Sequence, residues 1–323
     1  FDGAATGTIL ISRSPFTEAD FRITDSLNST FDFETILSPQ KAIDSMLVKL
    51  TSSTDVRNTA TENFPIDIKA PNDDRPFIFH YMGFKDMLTP QLWKQWDLLF
   101  NAKALLILIT LTVTMLVLSV LCVVVPLKMT SKKTDLKGSL PFFIFFMAIG
   151  LGFMLIEISQ IQRLNIFLGH PTYSLAAALF TLLLSSGIGS WLGGKSAKPR
   201  YTLRFASLII VLAATGLISP YLIEMFREYN NTIRISVSVA MLFPMGVCLG
   251  MVFPAGIKVA GKLKEGTRLT AWLWGINGVM SVLATSVAII IAMNYGISAS
   301  FWTGVGFYLV ASIAVIYMKK PSS

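Results

Sequence analysis

The chain has little of what metalloenzymes and disulfide-stapled domains depend on. Of 323 residues, only two are cysteine and two are histidine. Cys122 and Cys248 both lie in apolar runs, form no CxxC pair and give no disulfide framework. His80 and His170 have no thiol beside them, so no metal site is expected. Glycine-rich phosphate turns are missing as well: Gly187-Ile188-Gly189 has no strand before it and no dinucleotide unit around it. Charge is scarce, at 14% Asp, Glu, Lys and Arg, where a soluble domain carries about a quarter. The formal net charge is +8, but the basic residues are not interleaved with stacking aromatics in any recognition fold, which excludes a nucleic-acid partner.

What is there is apolar: 53% of the residues are hydrophobic. A helix of about 20 apolar residues crosses roughly 30 Å of hydrocarbon, and the chain offers seven such runs, near residues 104–127, 140–164, 171–194, 203–223, 234–257, 269–293 and 297–318. The last two are one unbroken stretch divided by Asn294-Tyr295-Gly296. The expected class is an α-helical polytopic membrane bundle, with the lipid bilayer as its first partner.

Charge sets the expected orientation. After spans one, three, five and seven come fourteen basic residues: Lys128, Lys132, Lys133, Lys137, Lys195, Lys198, Arg200, Arg204, Lys258, Lys262, Lys264, Arg268, Lys319 and Lys320. The loops after spans two, four and six carry three, Arg163, Arg227 and Arg234. Short loops rich in Lys and Arg stay cytoplasmic, so the C-terminus is expected inside and residues 1–100 outside.

Residues 1–88 read as an extracytoplasmic α/β region. Thr8 to Ser12 alternates as a strand, and Thr17-Glu18-Ala19-Asp20 fits a capping box opening a helix. Phe31 to Leu37 reads as a second strand, and Ser38 with Pro39 as the start of a helix to about Leu50. The chain opens on Phe1 without a secretory leader pattern, and its first strand is entered in mid-fold. Further residues of a larger domain are therefore expected upstream. Residues 89–101 read as an interfacial amphipathic helix presenting Trp93, Trp96 and Phe100 on one face, with capping of the soluble core as the alternative. Residues 102–323 form the transmembrane domain.

Two polar groupings are candidates for function. In "LIEISQIQRLNIFLGHPTYSL", Glu157, Gln160 and Arg163 are three apart and so neighbours on a helix. A charge facing lipid costs at least about 2.5 kcal/mol, so the face must be covered. Glu157 as acceptor, Arg163 as anion clamp and His170 as titrating group make a ligand or proton site; pairing with neighbouring backbone is the structural alternative. Asn277, in "WLWGINGVM", is expected to bond across to another helix. The second grouping, "NDDRPFIFHYM", places Asp73, Asp74, Arg75 and His80 at the junction of the two parts. It reads either as an acid pair or as a turn whose aspartates bond local N–H groups. Small residues four apart, Ser185, Gly189 and Gly193, and Gly246 with Gly250, mark close helix approach. Pro244 and Pro254 are expected to kink or break span five, either to line a site or for packing.

The segments "TILISRSPFTEADF", "PNDDRPFIFHYM", "AIGLGFMLIEISQIQRLNIFLGHPTYSLAAALFTLLLSSGIGSWL", "MGVCLGMVFPAGIK" and "AWLWGINGVMSVLAT" together resemble, in order, the C-terminal part of bacterial multi-pass membrane proteins described as spermidine synthase-like. That resemblance implies a bacterial inner-membrane protein. It further implies that residues 1 to about 70 end an α/β Rossmann-like, methyltransferase-type domain, and that an S-adenosyl donor is used by the family. No residue here matches the donor loop, the ribose-binding acid or the catalytic aspartate, so no cofactor is expected in this chain. An outside domain would also meet little cytosolic donor. The reading is thus an accessory or scaffold component of a membrane assembly, partnered by other membrane subunits, with lost or altered transferase chemistry. The alternatives are a membrane-bound aminopropyl- or methyltransferase, and a transporter with an intramembrane Glu157 site.

Overall fold

The structure, a computed structural model, describes residues 8–62, 64, 67–77, 96–130, 139–195, 201–261 and 266–318. The chain divides into two units, residues 1–69 and 70–323.

The first unit holds three short helices among its described residues: α1 (Glu18–Phe31), α2 (Ser45–Thr51) and α3 (Thr54–Glu62). The capping box forms. Thr17 N–H donates to Asp20 Oδ2 at 2.8 Å, and the Thr17 hydroxyl oxygen accepts from Asp20 N–H at 3.4 Å. The Thr17 N–H bond and a second from the Thr17 hydroxyl, which donates to Asp20 Oδ2 at 2.7 Å, hold the Asp20 carboxyl below its ordinary value of 3.8, the backbone bond contributing most. The sign follows: a depressed pKa adds helix stability above the unfolded value, and that stability is lost as pH falls through the folded one. Far-UV circular dichroism of the full chain should show a small loss of helix on acidification below the ordinary carboxylate range, and Asp20→Asn should remove that step.

The expected α/β layer is not present among the described residues. Residues 8–12 have no regular structure, and residues 31–37 give only an isolated bridge, Leu37 to Ala42. Ser38 does not cap a helix; its hydroxyl oxygen accepts from Lys41 N–H at 2.9 Å in a turn. The helix begins at Ser45 instead, because the Asp44 carboxylate accepts from Met46 N–H at 2.7 Å. A strand needs a neighbour for its N–H and C=O groups, and no described segment of this unit supplies one. No described residue of this unit is buried, and Ile9, Ile11 and Phe33 are mostly exposed.

Among its described residues the second unit contains seven helices long and apolar enough to cross a membrane. In chain order these are α4 (Trp96–Ser119), continued by a π-helical turn (Val120–Val124) and α5 (Val125–Thr130); α6 (Leu140–Leu168); α7 (Pro171–Lys195); α8 (Tyr201–Phe226); α9 (Asn231–Gly250) with α10 (Val252–Ala260); α11 (Gly266–Tyr295); and α12 (Ile297–Met318). α6 is the most buried of these helices and is the centre of the bundle, packing against α7, α9, α10, α11 and α12. Gly152 on α6 and Gly304 on α12 let these two helices meet: a methyl group at Gly304 would lie 2.8 Å from Ile156 and 3.0 Å from the Gly152 carbonyl oxygen. α9 packs on α7 through the small residues. A methyl at Gly246 would fall on the Ser185 hydroxyl, and one at Gly189 on the Val247 carbonyl.

The hydrogen-bond ladder of the fifth span is interrupted at Met251, between α9 and α10, where the backbone stays in the right-handed helical region at φ −72° and ψ −19°. Pro254 has no N–H to return to the Gly250 carbonyl, and its ring crowds that carbonyl. Pro244 lies within the continuous α9. The first span stands apart: none of its apolar window is buried, and it packs chiefly against α11. The expected interfacial helix lies mostly outside the described residues, which resume at Trp96.

Candidate functional site

α6 positions the polar face. It starts with Pro141 in its first turn and ends at Gly169, whose left-handed φ of 72° lets its N–H return to the Asn165 carbonyl at 3.1 Å. Between these ends Glu157, Gln160 and Arg163 are 7%, 0% and 8% exposed. Helical spacing of three puts them on one stripe, and α12 covers it.

Arg163 is fully engaged, but not with Glu157. Its Nη1 donates to Ser219 Oγ of α8 at 2.5 Å and its Nη2 to Ser298 Oγ of α12 at 3.1 Å. The guanidinium also lies over the Phe301 ring, 5.7 Å from its centroid. Glu157 makes no hydrogen bond or ion pair with a described residue; the Tyr308 phenol of α12 is near enough to interact with it electrostatically. Both the Oε1 and Nε2 atoms of Gln160 are buried without a partner among the described residues.

His170 does not join this cluster. Gly169 ends the helix and turns the chain outward, so His170 is exposed, its Nδ1 accepting from Thr172 N–H at 3.3 Å and its ring 5.3 Å from that of Tyr173. Asn277 is separate too. Its Nδ2 donates to the Phe146 carbonyl at 3.1 Å, eleven residues or about 16 Å along α6 from Glu157.

At the junction the two aspartates have different partners and form no acid pair. Asp73 pairs with Arg227 at 2.7 Å, both half exposed. Asp74 caps α12: its carbonyl accepts from Ile297 N–H at 2.8 Å and its Oδ1 from Ser298 N–H at 2.7 Å. The Asn72 side chain closes the turn, accepting from Asp74 N–H at 3.0 Å and Arg75 N–H at 2.7 Å. Ser298 thus receives Arg163 on its hydroxyl and gives its N–H to Asp74. His80 lies outside the described residues.

The break in the fifth span borders a cavity of about 340 Å³. Gly250 and Phe253 line it at the break, Ser186 and Ser190 on α7, Asn277 on α11 and Tyr308 on α12, with α6 as its floor. None of its described lining residues is charged. Tyr308 is therefore shared: it lines the cavity and lies within electrostatic reach of Glu157.

No family model, curated protein or solved structure matches this chain.

The chemistry open to the site follows from its groups. The cavity offers hydroxyls, an amide and aromatic faces without a fixed charge, which suits a small solute with hydrogen-bond donors. The polar stripe of α6 holds one acid, Glu157, with no ion pair among the described residues. Tyr308, Ser219 and Ser298 were not singled out from the sequence. A tyrosine in the middle of the seventh apolar run was the available signal, whereas the serines are indistinguishable from the many that bond their own helix backbone.

Proposed function

We propose that the chain is the membrane part of a spermidine synthase-like protein and that its helical bundle handles a small polar solute, in the manner of a transporter. The cavity at the break in the fifth span is the binding place, and Glu157, behind Tyr308, is its intramembrane acid. The observation that carries this reading is the cavity itself. Proline in a spanning helix frees a backbone carbonyl, which is tolerated where it is buried in protein or lines a cavity, and interrupted helices line solute sites in transporters. Its volume of about 340 Å³ falls within the roughly 300 to 1,000 Å³ of small-molecule sites. In this proposal the C-terminus and the Lys-rich loops face the cytoplasm of a bacterial inner membrane, supported by fourteen basic residues against three.

The test is water access. With Cys122 and Cys248 replaced by serine, Ser190→Cys in intact membranes should react with a membrane-impermeant maleimide. Adding Ser186→Trp, which fills the cavity, should slow that reaction at least about tenfold. A Ser190→Cys thiol that stays unlabelled from both sides, while a cysteine placed in a loop reacts, would remove the solute reading.

An accessory or scaffold role is the second reading, and the first span favours it. An apolar helix with none of its window buried has room for a partner helix as well as lipid. On this reading a tight complex should persist through detergent extraction. Binding of an S-adenosyl ligand by the intact protein would replace both readings with a transferase.

A further inference from the structure

We infer that Glu157 is a proton-binding site held in an internal hydrated pocket, and that the bundle couples its solute movement to protons. This deepens the solute reading above and rests on it. The decisive residue is Gln160. A primary amide in hydrocarbon with neither its carbonyl nor its NH₂ bonded costs several kcal/mol, and both groups of Gln160 lack partners among the described residues at 0% exposure.

Ser300 of α12 repeats the pattern: it too is 0% exposed with an unpartnered Oγ. α6 and α12 run antiparallel, with Arg163 meeting Ser298, and Ile156 meeting Gly304. That register brings Ser300 to the level of Gln160. Glu157 sits one turn along α6, 7% exposed and without an ion pair among the described residues. Two neutral polar groups without a described partner at one level of the bundle, with a buried acid one turn away, meet the bonding requirement of a buried water, which takes two to four such partners.

The surrounding ionisable groups leave Glu157 as the one that takes the proton. Tyr308 of α12 is within electrostatic reach of it, and Arg163, two turns on, is committed to Ser219 and Ser298 and interacts with the charge of Asp74. The others lie elsewhere: Arg234 of α9 is over Phe167, Cys248 of α9 faces Ser207, Lys258 of α10 donates to the Gly194 carbonyl, and Tyr295 of α11 is exposed. The step balances simply. A hydronium delivered along the waters gives its proton to the Glu157 carboxylate, leaving water and a neutral carboxylic acid, and the reverse step returns it.

pH-jump infrared difference spectra of the full chain in lipid nanodiscs test this. A protonated-carboxyl band should appear on acidification, shift in D₂O, and vanish in Glu157→Gln. Gln160→Leu strips the pocket of its polar lining. It should move that band's frequency and raise the proton affinity about tenfold, one unit of titration midpoint, because the charged form loses its solvation. A band that survives in Glu157→Gln overturns the inference. So does a Gln160→Leu protein, which needs no change at Glu157, with frequency and midpoint unaltered. If Ser190→Cys stays unlabelled while the band behaves as described, the solute reading fails and proton binding stands.

Discussion

Gly250→Ala is expected to destabilise the bundle by about 3 kcal/mol, near the upper end of ordinary overpacking, whereas Gly187→Ala should stabilise it by about 0.5 to 1 kcal/mol. The chemical change is the same in two helices that pack together. At Gly250 an added methyl would lie 2.6 Å from both the Cα and the carbonyl carbon of Ser186, and closer still to its carbonyl oxygen. Those are backbone atoms, so relief requires α7 and α9 to separate, and with them the contacts of Gly246 on Ser185 and of Gly189 on Val247. At Gly187 a methyl meets nothing within 4 Å, and only the conformational entropy of glycine is removed. Unfolding in mixed micelles, followed by tryptophan fluorescence, measures both. Equal stabilities would mean that α7 and α9 do not interlock as described. Ser186 and Gly250 both line the cavity, so Gly250→Ala should also alter Ser190→Cys labelling.

The second large effect is expected at Gly296→Ala, with a cost of about 2 to 3 kcal/mol for a left-handed backbone and a steric conflict together. Gly296 has φ of 102°, a conformation that L side chains rarely adopt. A methyl there would lie 3.0 Å from the Asp74 Cγ and closer to its Oδ2. Asp74→Ala alone should cost about 1 kcal/mol, the usual value of a lost N-cap. The double variant should cost less than the sum of the two, because Asp74→Ala removes the steric part and leaves only the φ strain. Strict additivity in that cycle would show that Gly296 matters for its φ alone. Arg163 reports on the same contact, since Ser298 links it to Asp74.

The membrane class and the seven helices were legible in the sequence because lipid offers no hydrogen bonds. Each spanning segment must satisfy its backbone within itself, which makes helix formation there a property of local composition. The small-residue spacing was legible for a related reason: Gly246 and Gly250 sit one turn apart on a single face whatever lies opposite. Pro254 marked the break because its clash is with the carbonyl four residues earlier, again a local fact. The strands at residues 8–12 and 31–37 were misread because a strand has no stability without a neighbour that the alternation of side chains cannot name.

What the tertiary structure alone decided is who meets whom. Arg163 and Glu157 share a helix stripe, yet Arg163 turns to Ser219 and Ser298, 56 and 135 residues away. Asp74 caps a helix 224 residues further on, and the left-handed Gly169 puts His170 outside the cluster its sequence position implied. Periodicity shows which side of a helix a residue takes. The partner on that side is set by how seven helices pack, and that depends on shape and burial summed over the whole bundle.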